Sequence, residues 1–142
     1  MTAFRVELRG WEEARTVAGP IRHAIFFGEK DAPPGVEIDD MDAQSVHAIA
    51  YDDAGNAVGT GRLLPDGQLG RLAVVKDWRR RGVGAAILDA LMEEARRLGY
   101  AAVTLSASLQ AAEFYRGLGF AAEGKVFKEG SILQQKMRKP LA

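Results

Sequence analysis

The sequence predicts an α/β (α+β) fold: a mixed, mostly antiparallel sheet of about six or seven strands flanked by about four helices. Three observations predict it. Apolar segments between residues 46 and 75 are punctuated by Asp52-Asp53-Ala54-Gly55-Asn56 and Pro65-Asp66-Gly67, turn sequences that make a meander. A helical pattern then carries the chain to a further strand, a βαβ step that needs a crossover. Two apolar runs around Lys128-Glu129-Gly130-Ser131 close the chain as a hairpin. The order β-α-α-β-β-β-α-β-α-β-β excludes a doubly wound parallel sheet.

Each element has its own signal. Phe4–Leu8 alternates apolar and charged residues as a strand does. Trp11 to Val17 reads as a short helix with Glu12 and Glu13 in its first turn, and Pro20 opens a second, Ile21 to Phe27. Glu29 to Asp42, with Pro33, Pro34, Gly35 and many acids, is a long loop whose length marks it as functional. Val46–Tyr51, Ala57–Leu64 and Gln68–Val75 form the meander. Val83, Ile87, Ala90, Leu91, Ala95 and Leu98 keep helical spacing, and Gly99 stops the helix. Ala101–Ser106 is a buried strand and Ala111–Leu118 a short helix ended by Gly119. Phe120–Phe127 and Ile132–Arg138 are the last strands.

The 142 residues support one domain spanning 1–142. Apolar residues are 47% and charged residues 27%, ordinary for a folded soluble chain. No apolar run approaches the roughly 20 residues of a membrane span, and Met1–Gly10 has no signal-peptide core, so a cytoplasmic location is expected. With no cysteine and two histidines, disulfides, a thiol nucleophile and a metal site are not expected. Charge balances at 19 basic and 19 acidic residues but divides along the chain, net −6 over residues 1–70 and +6 over 71–142. An acidic first half suits a cationic acceptor, and a basic second half suits a polyanionic ligand. The arginines are not interleaved with aromatics, so nucleic acid is not expected.

Arg79-Arg80-Arg81-Gly82-Val83-Gly84 lies between a strand and a helix. A helix start offers unpaired amides and partial positive charge, glycine lets an oxygen-rich group approach, and arginine adds bidentate donors. The junction is a diphosphate cradle. Ala85 and Ala86 after Gly84 exclude a Lys-Ser/Thr P-loop, and Ile87 replaces the third glycine of a dinucleotide fingerprint. A small kinase would also need a phosphate lysine and a magnesium carboxylate here, and only Lys76 and Asp77 are near.

Arg79-x-x-Gly82-x-Gly84, preceded by Arg71-Leu72-Ala73-Val74, resembles the acetyl-CoA signature of the GNAT superfamily of N-acetyltransferases, and Ala112 to Phe120 resembles its second motif. The first half is similar to the ElaA/YjcF-like branch in Arg22 to Glu29, Glu37 to Asp42, His47 and Gly59 to Leu63. The resemblance implies that Leu72, Ala73 and Val74 pair with the pantetheine arm. It implies that Arg79, Arg80, Arg81, Gly82, Val83, Gly84 and Ala85 hold the pyrophosphate. A bulge near Val74–Val75 would splay the strand. Ser108, Phe114 and Arg116 would complete the cofactor site, and many members carry Asn where Ser106, Ser108 and Gln110 lie here. Tyr115 would sit near the sulfur and protonate the leaving thiolate.

The expected reaction is acetyl transfer from acetyl-CoA to a primary amine of a small molecule or peptide by direct attack, in a monomer or homodimer. Phe27, Glu29, Glu37, Asp39, His47 and Arg62 are candidate acceptor-side residues, with Glu29, Glu37, Asp39 and His47 as candidate bases. A structural ion pair is an equal reading for Arg62, a packing lid is the better one for Trp78, and a satisfied strand histidine is the better one for His47. The alternative function is a non-catalytic acyl-CoA-binding or regulatory module.

Overall fold

Short turns dictate antiparallel pairing, and the pairing places the site. The computed structural model describes residues 3–26 and 39–141. Strands β1 (Phe4–Arg9), β2 (Val46–Asp52), β3 (Ala57–Leu63) and β4 (Leu69–Val74) form one antiparallel sheet in that order. Helix α2 (Val83–Arg97) crosses to β5 (Ala102–Ser108), followed by helix α3 (Ala112–Gly117), β6 (Ala121–Ala122), β7 (Phe127–Glu129) and β8 (Ile132–Pro140). In this second half-sheet β8 pairs with β5 on one side and with β6 and β7 on the other. The halves meet at one parallel bridge, Gln68 to Thr104, where the Thr104 amide donates to the Gly67 carbonyl at 3.1 Å. Beyond it β4 and β5 are not paired, so the β4 edge toward β5 is open among the described residues.

Helix α1 runs unbroken over Trp11–Phe26, correcting the expectation of two helices. Its core face, Ala14, Ala18, Ile21 and Ile25, continues in phase across Pro20. Pro20 removes one backbone bond, but it and Thr16 are exposed, so the freed carbonyl lies on the solvent side of the helix. Three α-helices and eight strands are described, where about four helices and six or seven strands were expected. The run Phe120–Phe127 divides into β6 and β7 because Gly124 takes φ 77° and the buried Gln135 side chain donates to the carbonyls of Glu123 and Gly124. The final turn is Gly130-Ser131, tighter than Lys128–Ser131.

Helix α2 lies on one face of the first half-sheet and α1 on the other. Gly59 and Gly61 let α2 approach β3: a Cβ on Gly61 would stand 2.8 Å from Ile87 Cγ2. Ile87, Leu91, Met92 and Ala95 of α2 and Val103, Leu105 and Met137 of the second half-sheet share one core. Ala73 packs instead with Ile21 and Ile25 of α1. No helix among the described residues is long and apolar enough to cross a membrane.

Candidate active site

A cavity of about 270 Å³ opens where β4 ends and α2 begins. Leu72 and Val74 form one wall, the Arg79–Ala85 turn another, and Trp78 and Phe114 close the sides. Gly84 is part of the floor, its missing Cβ position being 3.7 Å from Phe114 Cζ and 3.9 Å from both Leu72 and Val74. The cradle is shaped by left-handed backbone at Arg80 (φ 62°) and at Gly82 (φ 84°), the residue that caps α2. Such turns gather amide hydrogens into an anion-binding concavity at the positive end of the helix. Arg79 Nε donates to the Val74 carbonyl at 2.8 Å and ties the turn to the strand. Arg81 lies 5.1 Å over the Trp78 ring, whose other contact is an edge-on stack with Phe4. Trp78 is thus packed and also lines the cavity.

Leu72, Val74, Arg79, Arg80, Gly82, Val83, Gly84, Ala85 and Phe114 therefore come together. Ala73 alternates to the opposite face, where it packs against Ile21 and Ile25. Arg116 pairs with Glu113 on the α3 surface at 2.7 Å, and Ser108 Oγ accepts the Ala111 amide at 3.3 Å. Tyr115 packs edge-on against Phe114 and Phe120, and burial pushes its phenol pKa up, so it is protonated at neutral pH.

The bulge lies three residues before its expected position. Thr60 pairs with Ala73 and Arg62 with Gly70, so Arg71 and Leu72 together face Gly61. Arg71 takes φ 50°, the left-handed conformation of a bulge's first residue. The extra residue sends Leu72 to the cavity and Arg71 to the α1 face, where Arg71 Nη2 donates to Asp39 Oδ2 at 2.9 Å.

On that face the expected acceptor-side residues form a buried ion cluster. Arg62 binds Asp39 through both nitrogens at 2.6 and 2.9 Å, and Asp42 at 2.9 Å. Arg22 Nη1 donates to the same Asp42 oxygen at 3.0 Å. The Arg62 hydrogen bonds, with Arg71 beside them, hold the Asp39 pKa down at about 2. His47 is fully buried against Trp11, its Nε2 donating to the Asp42 carbonyl at 2.8 Å and its Nδ1 facing Arg22. Burial and the Arg22 charge lower its pKa and keep it neutral. Asp39 and His47 are engaged in the cluster, His47 as the satisfied strand histidine and Arg62 as the structural ion pair that the sequence offered beside the acceptor-side role. The carboxylates of Asp39 and Asp42, which helped suggest a cationic acceptor, are neutralised by arginines. Phe27, Glu29 and Glu37 lie outside the described residues. Sequence reading missed Arg71 and Asp42 as cluster members. The signal was present as charges within or beside apolar strands, which must find partners when buried.

Fold and site together define a divided mixed sheet with an anion-suited cavity at the start of a helix. Residues 28–141 match the family model for the acetyltransferase (GNAT) domain. The uncharacterized N-acetyltransferase YjcF of Bacillus subtilis is 34% identical over 132 residues, covering 90% of this chain and 94% of YjcF. A Lactobacillus plantarum protein assigned as an N-acetyltransferase superimposes with a TM-score of 0.90 at 26% identity, covering 99% of each chain. Escherichia coli ElaA shares the fold, with a TM-score of 0.84 at 20% identity over 96% of this chain and 99% of ElaA. The chain belongs to the GNAT acetyltransferases, an ElaA/YjcF-like member, and is an acyltransferase.

Proposed function

We propose that residues 1–142 act as one catalytic domain that moves the acetyl group of acetyl-CoA to a primary amine of a small molecule or peptide by direct attack. The observation that carries this is the cavity running from the open β4 edge to the start of α2. Its amides and arginines suit a pyrophosphate, and the open edge of Leu72–Val74 suits the amide-bearing pantetheine arm, added like a strand.

Fixed in that way, the thioester would lie in the gap between β4 and β5. The amine nitrogen bonds to the thioester carbonyl carbon, the C–S bond breaks, and the thiolate takes a proton from Tyr115. With a Cys-like pKa of about 8.5 the thiolate is a fair leaving group. Tyr115, protonated and held among aromatic rings, is suited to that donation. The chain has no cysteine to carry an acyl-enzyme, which favours a ternary complex. With Asp39 and His47 engaged in the cluster, the amine attacks as the free base; its surplus N–H proton then passes to solvent, from which Tyr115 regains the proton given to the thiolate. Acetyl-CoA is expected to raise the melting temperature while ATP and NAD do not, and an amine library is expected to release free thiol from acetyl-CoA. CoA binding with no thiol release from any amine would instead mark a non-catalytic acyl-CoA module.

A further inference from the structure

Arg71 is the least satisfied cation of the buried cluster. Among the described residues it makes one hydrogen bond, to Asp39 Oδ2, and Asp39 is already gripped by both terminal nitrogens of Arg62. Its Nε is buried with no partner among the described residues, yet the side chain keeps 25% of its surface open. Asp42 and Glu129 attract it through space, and neither bonds it. The left-handed φ of 50° at this non-glycine residue is strain that aims the guanidinium to the α1 face, one residue from the cavity wall.

The neighbouring surface has no cover among the described residues. Val103, Leu105 and Ala107 turn into the core, so Thr104, Ser106 and Ser108 turn to the α1 side of the second half-sheet. Their cross-strand partners Arg138, Lys136 and Gln134 stand on the same side, and the Glu123 carboxylate meets Lys136 and Arg138 at 3.2 and 3.9 Å. Helix α1 covers the first half of this face, and no described element covers the second half. An acceptor lying there would meet hydroxyls, Arg71 and the β4–β5 gap together.

We propose that Arg71 seats an anionic group of the acceptor, so that the acetyl acceptor is an amine that also carries a carboxylate. The carboxylate would take the remaining guanidinium donors while the amine reaches through the gap to the thioester. This rests on the acetyltransferase reading and reverses the cationic acceptor that the charge of the first half suggests.

The test is thiol release from acetyl-CoA with straight-chain ω-amino carboxylates of four to six carbons, each set against its own carboxamide. The carboxylates are expected to win by about tenfold or more in kcat/KM, mostly through KM, as an arginine–carboxylate pair allows. Arg71→Gln is expected to bring the ratio to within about twofold of one, and Arg71→Lys to restore part of it. Glu129→Gln, at an exposed position, removes the competing acid and is expected to raise the ratio. A preference for carboxamides or diamines, a ratio unmoved by Arg71→Gln, or no turnover of any carboxylate would overturn the assignment. Stabilisation by acetyl-CoA, measured on the same samples, separates that failure from a failure of the acetyltransferase reading.

Discussion

Asp42 and Arg62 are bonded at 2.9 Å with both side chains out of water, and the same Asp42 oxygen also holds Arg22 at 3.0 Å. One buried carboxylate thus supports two guanidiniums from different elements, α1 and β3. Asp42→Asn removes the buried charge that the two share and leaves Arg62 to Asp39 alone, and the cost of breaking such a buried pair is about 3–5 kcal/mol. The melting temperature is expected to fall by roughly 10 °C or more; a fall under about 2 °C would show that the cluster does not hold α1 to the sheet.

His47 gives the fold a pH dependence with a definite sign. Its folded pKa lies below the ordinary 6.5, so below that pH the unfolded chain binds the extra proton first. Stability is complete above about pH 6.5 and declines as pH falls toward the folded pKa. The melting temperature of the wild type is expected to drop across that window, and His47→Gln, less stable at pH 7.5, to show a flatter profile. Parallel profiles would contradict the neutral, buried assignment.

Gly84 separates cofactor binding from folding. An alanine Cβ there meets only ordinary contacts, while the branches of Gly84→Val extend into the space between Leu72, Val74 and Phe114. The variant is expected to keep its melting temperature within a few degrees and to lose most of the stabilisation given by acetyl-CoA, with KM for acetyl-CoA raised about tenfold or more. Undiminished acetyl-CoA binding would move the carrier to another site.

Tyr115→Phe keeps the ring contacts with Phe114 and Phe120 and removes only the hydroxyl that carries the proton. The expected result is a fall in kcat of about 10²-fold with KM for acetyl-CoA changed less than about threefold, read in steady-state kinetics. An unchanged kcat would assign Tyr115 to packing alone.

Gly61→Ala tests the seating of α2. Its Cβ would lie 2.8 Å from Ile87 Cγ2 inside a packed core, and overpacking of this kind costs about 1–3 kcal/mol. Urea unfolding is expected to show that loss, and an unchanged midpoint would show that α2 moves away from β3 without cost.

The local patterns that the sequence carries are those with short-range causes. The Gly55 and Gly67 turns, the α2 stripe from Val83 to Ala95 and the Gly82–Gly84 junction follow from residues within a few positions of one another. The cavity proposed for the cofactor was legible for that reason, since the six-residue motif Arg79–Gly84 supplies half of its lining. The acceptor side was not. Asp39, Asp42, His47, Arg62 and Arg71 are spread over 33 positions, and only the strand register shows that they neutralise one another. Pro20 misled because helix-breaking propensity is a local rule, and the apolar face of α1 outweighs it. The bulge was displaced because nothing local distinguishes Arg71 from an ordinary strand residue.

Among the described residues a single bridge, Gln68 to Thr104, joins the two ladders, while the core around Ile87 and Leu91 holds the halves together. Movement between them is thereby confined to the crevice beyond that bridge, where β4 and β5 part. A ligand lying along the crevice would act as a strut, and amide exchange at Thr104 would slow when the strut is in place even though nothing touches that residue.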